Sequence, residues 1–173
     1  TGWGEAAFYG PKLDVQGKNV HGKEDTIFTV QIDFALAERF DMLYIDENGE
    51  KQRPLIVHRS SIGCYERTFA MLIEKYNGAF PLWLSAEQVR VLSLTDRTMD
   101  NAQEIAKSLL SAGIRAEADI RSEKLGKKIR EAQLDKVNYI VVIGDKEAEQ
   151  GLISVRHRAE GDLGTMTLDA FKA

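Results

Sequence analysis

Apolar and polar residues alternate with a period of two along much of the first 60 residues. The clearest case is the segment 27–34, where large apolar residues take every second position: Phe28, Val30, Ile32 and Phe34. This period predicts antiparallel strands over 12–20, 27–34, 41–46 and 53–57. Gln31 and Asp33 then share the opposite face, which either meets water or lines a site. The Asn48-Gly49 pair between the third and fourth segments predicts a hairpin.

The period changes to three and four residues at 64–77, which predicts an amphipathic helix that ends before Gly78. The stretch 79–87, which contains Pro81, reads as a linker. Beyond it, strands and helices alternate: strands at 90–94, 114–120, 139–143 and 152–155, and helices at 100–112 and 125–134. This order predicts a parallel or mixed sheet covered by helices, so the fold class is α/β, or α+β over the whole chain.

Composition narrows the function classes. The 173 residues carry a net charge of −4, so any contact with nucleic acid must use local basic residues. A single cysteine, Cys64, excludes a disulfide within the chain, and a cytoplasmic location fits this. No apolar run approaches the length of a membrane span, and no signal peptide opens the chain.

The junction at 56–67 contains the residues that most strongly suggest a binding site. A strand ends in His58-Arg59, a turn of small residues follows, and a helix begins near Glu66 and Arg67. A cation in the first turn opposes the helix dipole. Arg67 therefore either pairs with Glu66 on the surface or faces an anion such as a polyphosphate.

Four blocks, in this order and spacing, resemble the C-terminal part of the threonyl-tRNA synthetases, a family of class II aminoacyl-tRNA synthetases. They are residues 7–12 with 29–34, 58–84, 113–131, and 142–147 with 155–156. The resemblance implies an antiparallel-sheet remnant of the class II catalytic core over 1–84, including the third class II signature. It implies an anticodon-binding domain with a mixed sheet over 85–173, whose C-terminal helix is truncated.

The family activates threonine with ATP and magnesium and transfers it to threonine tRNA. The resemblance therefore implies threonine, ATP and that tRNA as ligands, a homodimeric parent protein, and neither a membrane nor DNA as a partner. Lys12, Gln31 and Arg67 match catalytic and substrate-binding positions, and Tyr9 matches a threonine-pocket residue. Little covalent catalysis is required, because positioning and charge neutralisation supply most of the rate.

His58 matches one ligand of the family's zinc ion, which binds the amino group and hydroxyl of threonine and so rejects valine. The partner ligands, a Cys and a His, lie upstream in the family and are absent here. In the second half, Arg121, Arg130, Glu147 and Arg156 match positions expected to contact the anticodon. The run that includes Lys124, Lys127 and Lys128 is either a solvated basic face or a phosphate contact.

The first two class II signatures are also absent from these residues. We therefore expect the chain alone to be inactive in threonyl adenylate formation, although its parent is a threonine–tRNA ligase. The alternative is a stand-alone tRNA-binding module, or a synthetase-like regulator without ligase activity.

Overall fold

Ten strands and six helices make up the part of the chain that the computed structural model describes, which is Gly4 and residues 6–173. They form two compact units that divide between Asn77 and Gly78. Each unit has its own main sheet. Within the described residues, no helix combines the length and apolar character needed to cross a membrane.

In its described part, the first unit has five strands: β1 Lys12–Lys18, β2 Glu24–Asp33, β3 Tyr44–Ile45, β4 Lys51–Gln52 and β5 Ile56–Arg59. Three of them form an antiparallel sheet in the order β1-β2-β5. The other two form a hairpin, β3-β4, which lies between β2 and β5 in sequence. The helices of this unit are α1 Leu36–Arg39 and α2 Tyr65–Tyr76.

The predicted hairpin is present, but its strands are only two residues long. One carboxylate oxygen of Asp46 accepts from the backbone N–H groups of Asn48 and Glu50, both at 2.9 Å, and this closes the turn. The predicted strand 53–57 is present but displaced: it runs over Ile56–Arg59, since Pro54 cannot donate to a ladder. Helix α1 had no signal in the pattern, because it is a single turn.

The alternation in β2 is correct, but its burial is the reverse of the usual one. Asp33, on the polar face, is fully buried, whereas Ile32 and Phe34 remain 37% and 57% exposed. Near the end of β2 the polar face is therefore the more protected one at Asp33, but it stays partly open at Gln31 and at the neighbouring His58, whose side chain is 42% exposed.

The second unit holds a five-stranded mixed sheet, as the α/β pattern predicts. The strands are β6 Val89–Ser93, β7 Ala116–Asp119, β8 Tyr139–Ile143, β9 Leu152–His157 and β10 Gly161–Thr167. Their order in the sheet is β10-β9-β8-β6-β7. Strands β7, β6 and β8 run parallel, and β9 and β10 are antiparallel additions. The helices are α3 Met99–Ser111, α4 Leu125–Leu134, α5 Asp145–Gln150 and α6 Leu168–Lys172, and short 3-10 turns occupy Leu82–Leu84 and Asp96–Thr98.

Helices α3 and α4 cover opposite faces of this sheet. Val91, Val141 and Val155 belong to a core cluster with α3, whereas Leu92 and Ile140 belong to a second cluster with α4. Successive strand residues point to opposite faces. Ser154 and Arg156, which alternate with Ile153 and Val155, therefore lie on the α4 face.

The sequence missed two elements of this unit. Residues 144–151 lie between predicted elements, but they contain α5, and Glu147 reaches back to accept from the N–H of Gly144 at its start. Strand β10 is rich in small and polar residues and has a register shift between Asp162 and Gly164, so it lacks a clear period. Helix α6 follows it directly, in the region where the resemblance implied a truncated C-terminal helix.

Candidate functional site

Three residues expected at the substrate site stand in one row across the first sheet. Lys12 of β1 is directly opposite Gln31 of β2, and Gln31 is directly opposite His58 of β5. Directly opposed residues in an antiparallel sheet share a face and have Cβ atoms roughly 5 Å apart. Lys12 also forms an ion pair with Asp14 at 2.7 Å, and this hydrogen bond holds the pKa of the Asp14 carboxyl below its ordinary value.

Tyr9 completes this row. Its hydroxyl donates to the side-chain oxygen of Gln31, and its ring lies edge-on to the His58 ring, with centroids 5.8 Å apart. Gly10 allows this approach, because a Cβ there would lie 2.1 Å from the carbonyl oxygen of Ile32. The Tyr9-Gly10-Pro11-Lys12 motif thus places an aromatic ring and an ammonium group on either side of the Gln31 amide.

His58 is oriented by a buried carboxylate. Its Nε2 lies 2.8 Å from one oxygen of Asp33, and the other oxygen accepts from the N–H groups of Ala35 and Leu36 at 2.8 and 2.9 Å. Burial alone would raise the pKa of Asp33. The hydrogen bonds from His58 and from these two amides outweigh burial and hold the pKa below its ordinary value. The ring is therefore fixed through Nε2.

Arg67 lies in the first turn of α2, and its side chain is exposed. Helix α2 is preceded by a tight turn in which the N–H of Gly63 donates to Ser60 Oγ at 2.8 Å. Glu66 accepts from the Cys64 thiol at 2.8 Å instead of pairing with Arg67. Arg67 makes no hydrogen bond or ion pair with any residue that the structure describes, so the interpretation as a surface ion pair is wrong.

In the second unit, three polar residues form a strip on the α4 face of the sheet. Glu147 accepts from Ser154 Oγ at 3.1 Å, and Ser154 precedes Arg156 by two residues on β9. Ser154 and Arg156 line a groove of about 230 Å³ together with Ile129 of α4 and Ile140 and Val142 of β8. No described residue forms a hydrogen bond or ion pair with the Arg156 guanidinium.

Arg121 differs from Arg156, since carboxylates hold it. Its Nε donates to Asp119 at 2.9 Å, and its Nη2 donates to Glu131 at 2.6 Å. The hydrogen bonds that it donates to Asp119 and Glu131 raise the pKa of the guanidinium. Only Nη1 is left without a partner among the described residues, and the side chain is 54% exposed.

The basic run around α4 does not form one charged face. Lys127 pairs with Glu123 at 2.6 Å on the surface, whereas Lys128 is 1% exposed. The Lys128 ammonium donates to the carbonyl oxygens of Ser93 and Asp119, both at 3.0 Å, and to Ser93 Oγ at 3.1 Å. Lys128 is therefore an interior residue. It belongs neither to a solvated basic face nor to a phosphate-binding surface. Arg130 is exposed and has no partner in the described part of the chain.

Each of the two units matches a known protein family. Residues 2–76 match the family of the tRNA synthetase class II core domain (G, H, P, S and T), and residues 88–173 match the anticodon binding domain family. A threonine–tRNA ligase of Clostridium botulinum (strain Eklund 17B / Type B) is 66% identical over 167 residues, which are 96% of this chain and 26% of that protein. The ligase of Listeria monocytogenes is 53% identical over 171 residues, 98% of this chain and 27% of its own.

The crystal structure of the RNA binding domain of threonyl-tRNA synthetase from Cryptosporidium parvum Iowa II superposes with a TM-score of 0.84 at 34% identity. The match covers 98% of this chain and 43% of that one. The chain belongs to the threonyl-tRNA synthetase family. It spans about a quarter of the length of the curated relatives it matches.

Of the predicted site residues, the structure brings Tyr9, Lys12, Gln31 and His58 together. It also links Glu147 to the strand that carries Arg156. Arg67 and Arg130 stand apart from these contacts. Sequence reasoning missed the residues that hold the predicted ones in place, which are Asp33, Ser154, Asp119 and Glu131. The alternation of β2 already placed Asp33 beside Gln31, but no sequence pattern links Glu131 to Arg121.

Proposed function

We propose that this chain is part of a threonine–tRNA ligase, in which it supplies one side of the ATP and threonine site and reads the anticodon. The observation that carries the proposal is the row Lys12, Gln31 and His58, completed by Tyr9. An ammonium, an amide and an imidazole on one sheet face suit a substrate with a carboxylate, an amino group and a hydroxyl. The family resemblance supports the proposal, since it implies substrate contacts for Lys12, Gln31 and Tyr9 and a zinc-ligand role for His58.

Arg67 is proposed to bind the phosphates of ATP, and Lys12 to lie near the α-phosphate and the threonine carboxylate. Arg67 reaches no carboxylate within the described residues, so a polyphosphate would not have to displace an existing ion pair. Magnesium enters with ATP as part of the substrate. These groups act by neutralising charge that develops at the reacting phosphate.

His58 fits the role of one zinc ligand. Metal-bound histidines usually present one ring nitrogen to the metal and the other to a carboxylate, and Asp33 occupies Nε2 here. Zinc would bind the amino group and hydroxyl of threonine. Among the described residues, however, no group of three or more His, Cys, Asp and Glu side chains could hold a metal. His58 can therefore supply one ligand, and the others must come from outside this set.

In the second unit we propose that Arg130, Glu147 and Arg156 contact the anticodon of threonine tRNA, and that Arg121 adds its remaining Nη1. Unstacked loop bases are read by hydrogen bonds and by stacking on guanidinium planes. This assigns residues 1–84 to the catalytic domain and 85–173 to the anticodon-binding domain. A homodimeric parent in the cytoplasm completes the proposal.

Threonine-dependent ATP–pyrophosphate exchange tests the first part in the full-length protein that carries this chain. Arg67→Ala should lower the exchange rate by about a hundredfold, because removal of one preorganised donor costs roughly that much. Lys51→Ala, which removes an exposed cation on β4, is the control and should leave the rate unchanged. Equal rates for Arg67→Ala and wild type would refute the role of Arg67.

The second part is tested with the 173-residue chain and a threonine anticodon stem-loop. Arg156→Ala should weaken binding by about 1–3 kcal/mol. Lys107→Ala removes a positive charge from α3, on the opposite face, and should weaken it far less. The same chain should show no exchange activity. Exchange above background would show that the adenylation site is complete in these residues.

A further inference from the structure

Ser154 touches one of the proposed anticodon contacts without belonging to them. Its hydroxyl donates to Oε1 of Glu147 at 3.1 Å, while the N–H of Gly144 donates to Oε2 at 3.1 Å. The Gly144 contact satisfies one N–H at the start of α5, as the glutamate of a capping box does. The Ser154 contact is not needed for that purpose, since it ties the carboxylate to a different element, β9.

The contact determines where the Glu147 carboxylate points. Each carboxylate oxygen has two acceptor positions, and one on each is now used. The Glu147 carboxylate is thus held at both oxygens, by Gly144 at the start of α5 and by Ser154 on β9, and it has little rotational freedom. Its two unused acceptor positions keep a fixed direction. A carboxylate fixed in this way is preorganised to accept from the imino and amino groups of a guanine edge.

Ser154 also links Glu147 to the strand that carries Arg156. Its hydroxyl contacts Glu147, and it precedes Arg156 by two residues on the same face of β9. Yet Glu147 and Arg156 form no ion pair in the described part of the chain. Without the hydroxyl, the carboxylate could turn toward the guanidinium, and each group would then neutralise the other before RNA arrived.

We propose that Ser154 is a positioning residue for anticodon reading, which holds the Glu147 carboxylate toward a guanine base and away from Arg156. The inference rests on the proposed function of the second unit. It extends that function by assigning a role to a residue that the sequence resemblance did not single out.

The test compares two anticodon stem-loops, one with guanine as the central base and one with inosine, which lacks the 2-amino group. The wild-type chain should prefer guanine by about tenfold to a hundredfold, as expected for a hydrogen bond to a charged group. Ser154→Ala should reduce this ratio by about fivefold, and Ser154→Thr, which keeps the hydroxyl, should restore it. Ser111→Ala is the control, because that hydroxyl contacts only the backbone oxygen of Lys107, on α3.

A Glu147→Gln background separates positioning from general stability. In that background Ser154→Ala should change the guanine preference no further, since the carboxylate that it positions is gone. An unchanged ratio in Ser154→Ala, a Ser154→Thr ratio as low as that of Ser154→Ala, or an equal loss in the Glu147→Gln background would each overturn the inference. A wild-type chain that binds neither stem-loop would instead refute the proposed anticodon function.

Discussion

The buried ammonium of Lys128 offers the sharpest test of the second unit's architecture. All three of its N–H bonds are used, on the two carbonyl oxygens and one hydroxyl that end β6 and β7. Lys128→Met keeps a flexible apolar stem of similar length and removes only the charged donor. The substitution therefore isolates the three hydrogen bonds from the packing of the side chain.

The expected magnitude follows from two opposing effects. Hydrogen bonds to a charged group contribute about 1.5–3 kcal/mol, and each buried acceptor left unpaired costs about 1–3 kcal/mol. Against these stands the desolvation of the ammonium, which the variant no longer requires. We expect a net loss of about 2–3 kcal/mol in the free energy of unfolding. For a unit of this size, that corresponds to a fall in melting temperature of roughly 10–20 °C.

Thermal and urea unfolding of the chain, followed by circular dichroism, measure this loss. Lys127→Met is the matched control, because it makes the same substitution one residue earlier, at an exposed position paired with Glu123. It should leave the stability close to that of the wild type, because solvent screens an exposed ion pair. If Lys128→Met were as stable as the wild type, the desolvation of the ammonium would equal its hydrogen bonds, and Lys128 would not stabilise this sheet edge.

Two further predictions concern a turn and an acid-sensitive pair. Gly63 has φ of 73°, and a Cβ there would lie 2.5 Å from a backbone oxygen, so Gly63→Ala should lower stability by at least about 2 kcal/mol in urea unfolding. Gly49→Ala, with φ of 79° but no atom within 4 Å, should cost only about 1 kcal/mol. The hydrogen bond from Arg121 depresses the pKa of Asp119. Its stabilising contribution should therefore be complete above the ordinary Asp pKa of about 4 and be lost as pH falls below that value, where wild type and Asp119→Asn converge in unfolding free energy.

Periodicity predicted most of the helices and strands, and it placed Gln31 and Asp33 on one face. It could not give the register of β1 and β5 against β2, because register depends on turn geometry and on pairing over long sequence separations. The row Lys12, Gln31 and His58 therefore emerges only from the structure. The burial of Asp33 was equally hidden, since a carboxylate in a strand normally faces water and here faces His58 and two backbone amides.

The burial of Lys128 could have been predicted from its position on helix α4, but the neighbouring cations suggested a charged surface instead. Leu125, Ile129 and Ala132 follow the spacing of a buried helix stripe, and Lys128 stands one turn after Leu125 within that stripe. Counting it with the neighbouring cations assigned it to a charged surface. Helical position was the better guide, because a long side chain can enter the interior if its ammonium finds acceptors there.

The three arginines of the proposed RNA surface differ in whether the fold already pairs them with carboxylates. Arg121 is held by two carboxylates, whereas Arg130 and Arg156 meet no acceptor in the described part of the chain. An arginine already paired within the fold stabilises the fold, and contact with RNA through its paired nitrogens would first require that pair to break. An arginine that the fold leaves unpaired gains its strongest partner only when an anion or base arrives. Affinity for RNA should therefore depend more on Arg130 and Arg156 than on Arg121, although sequence resemblance ranks the three together.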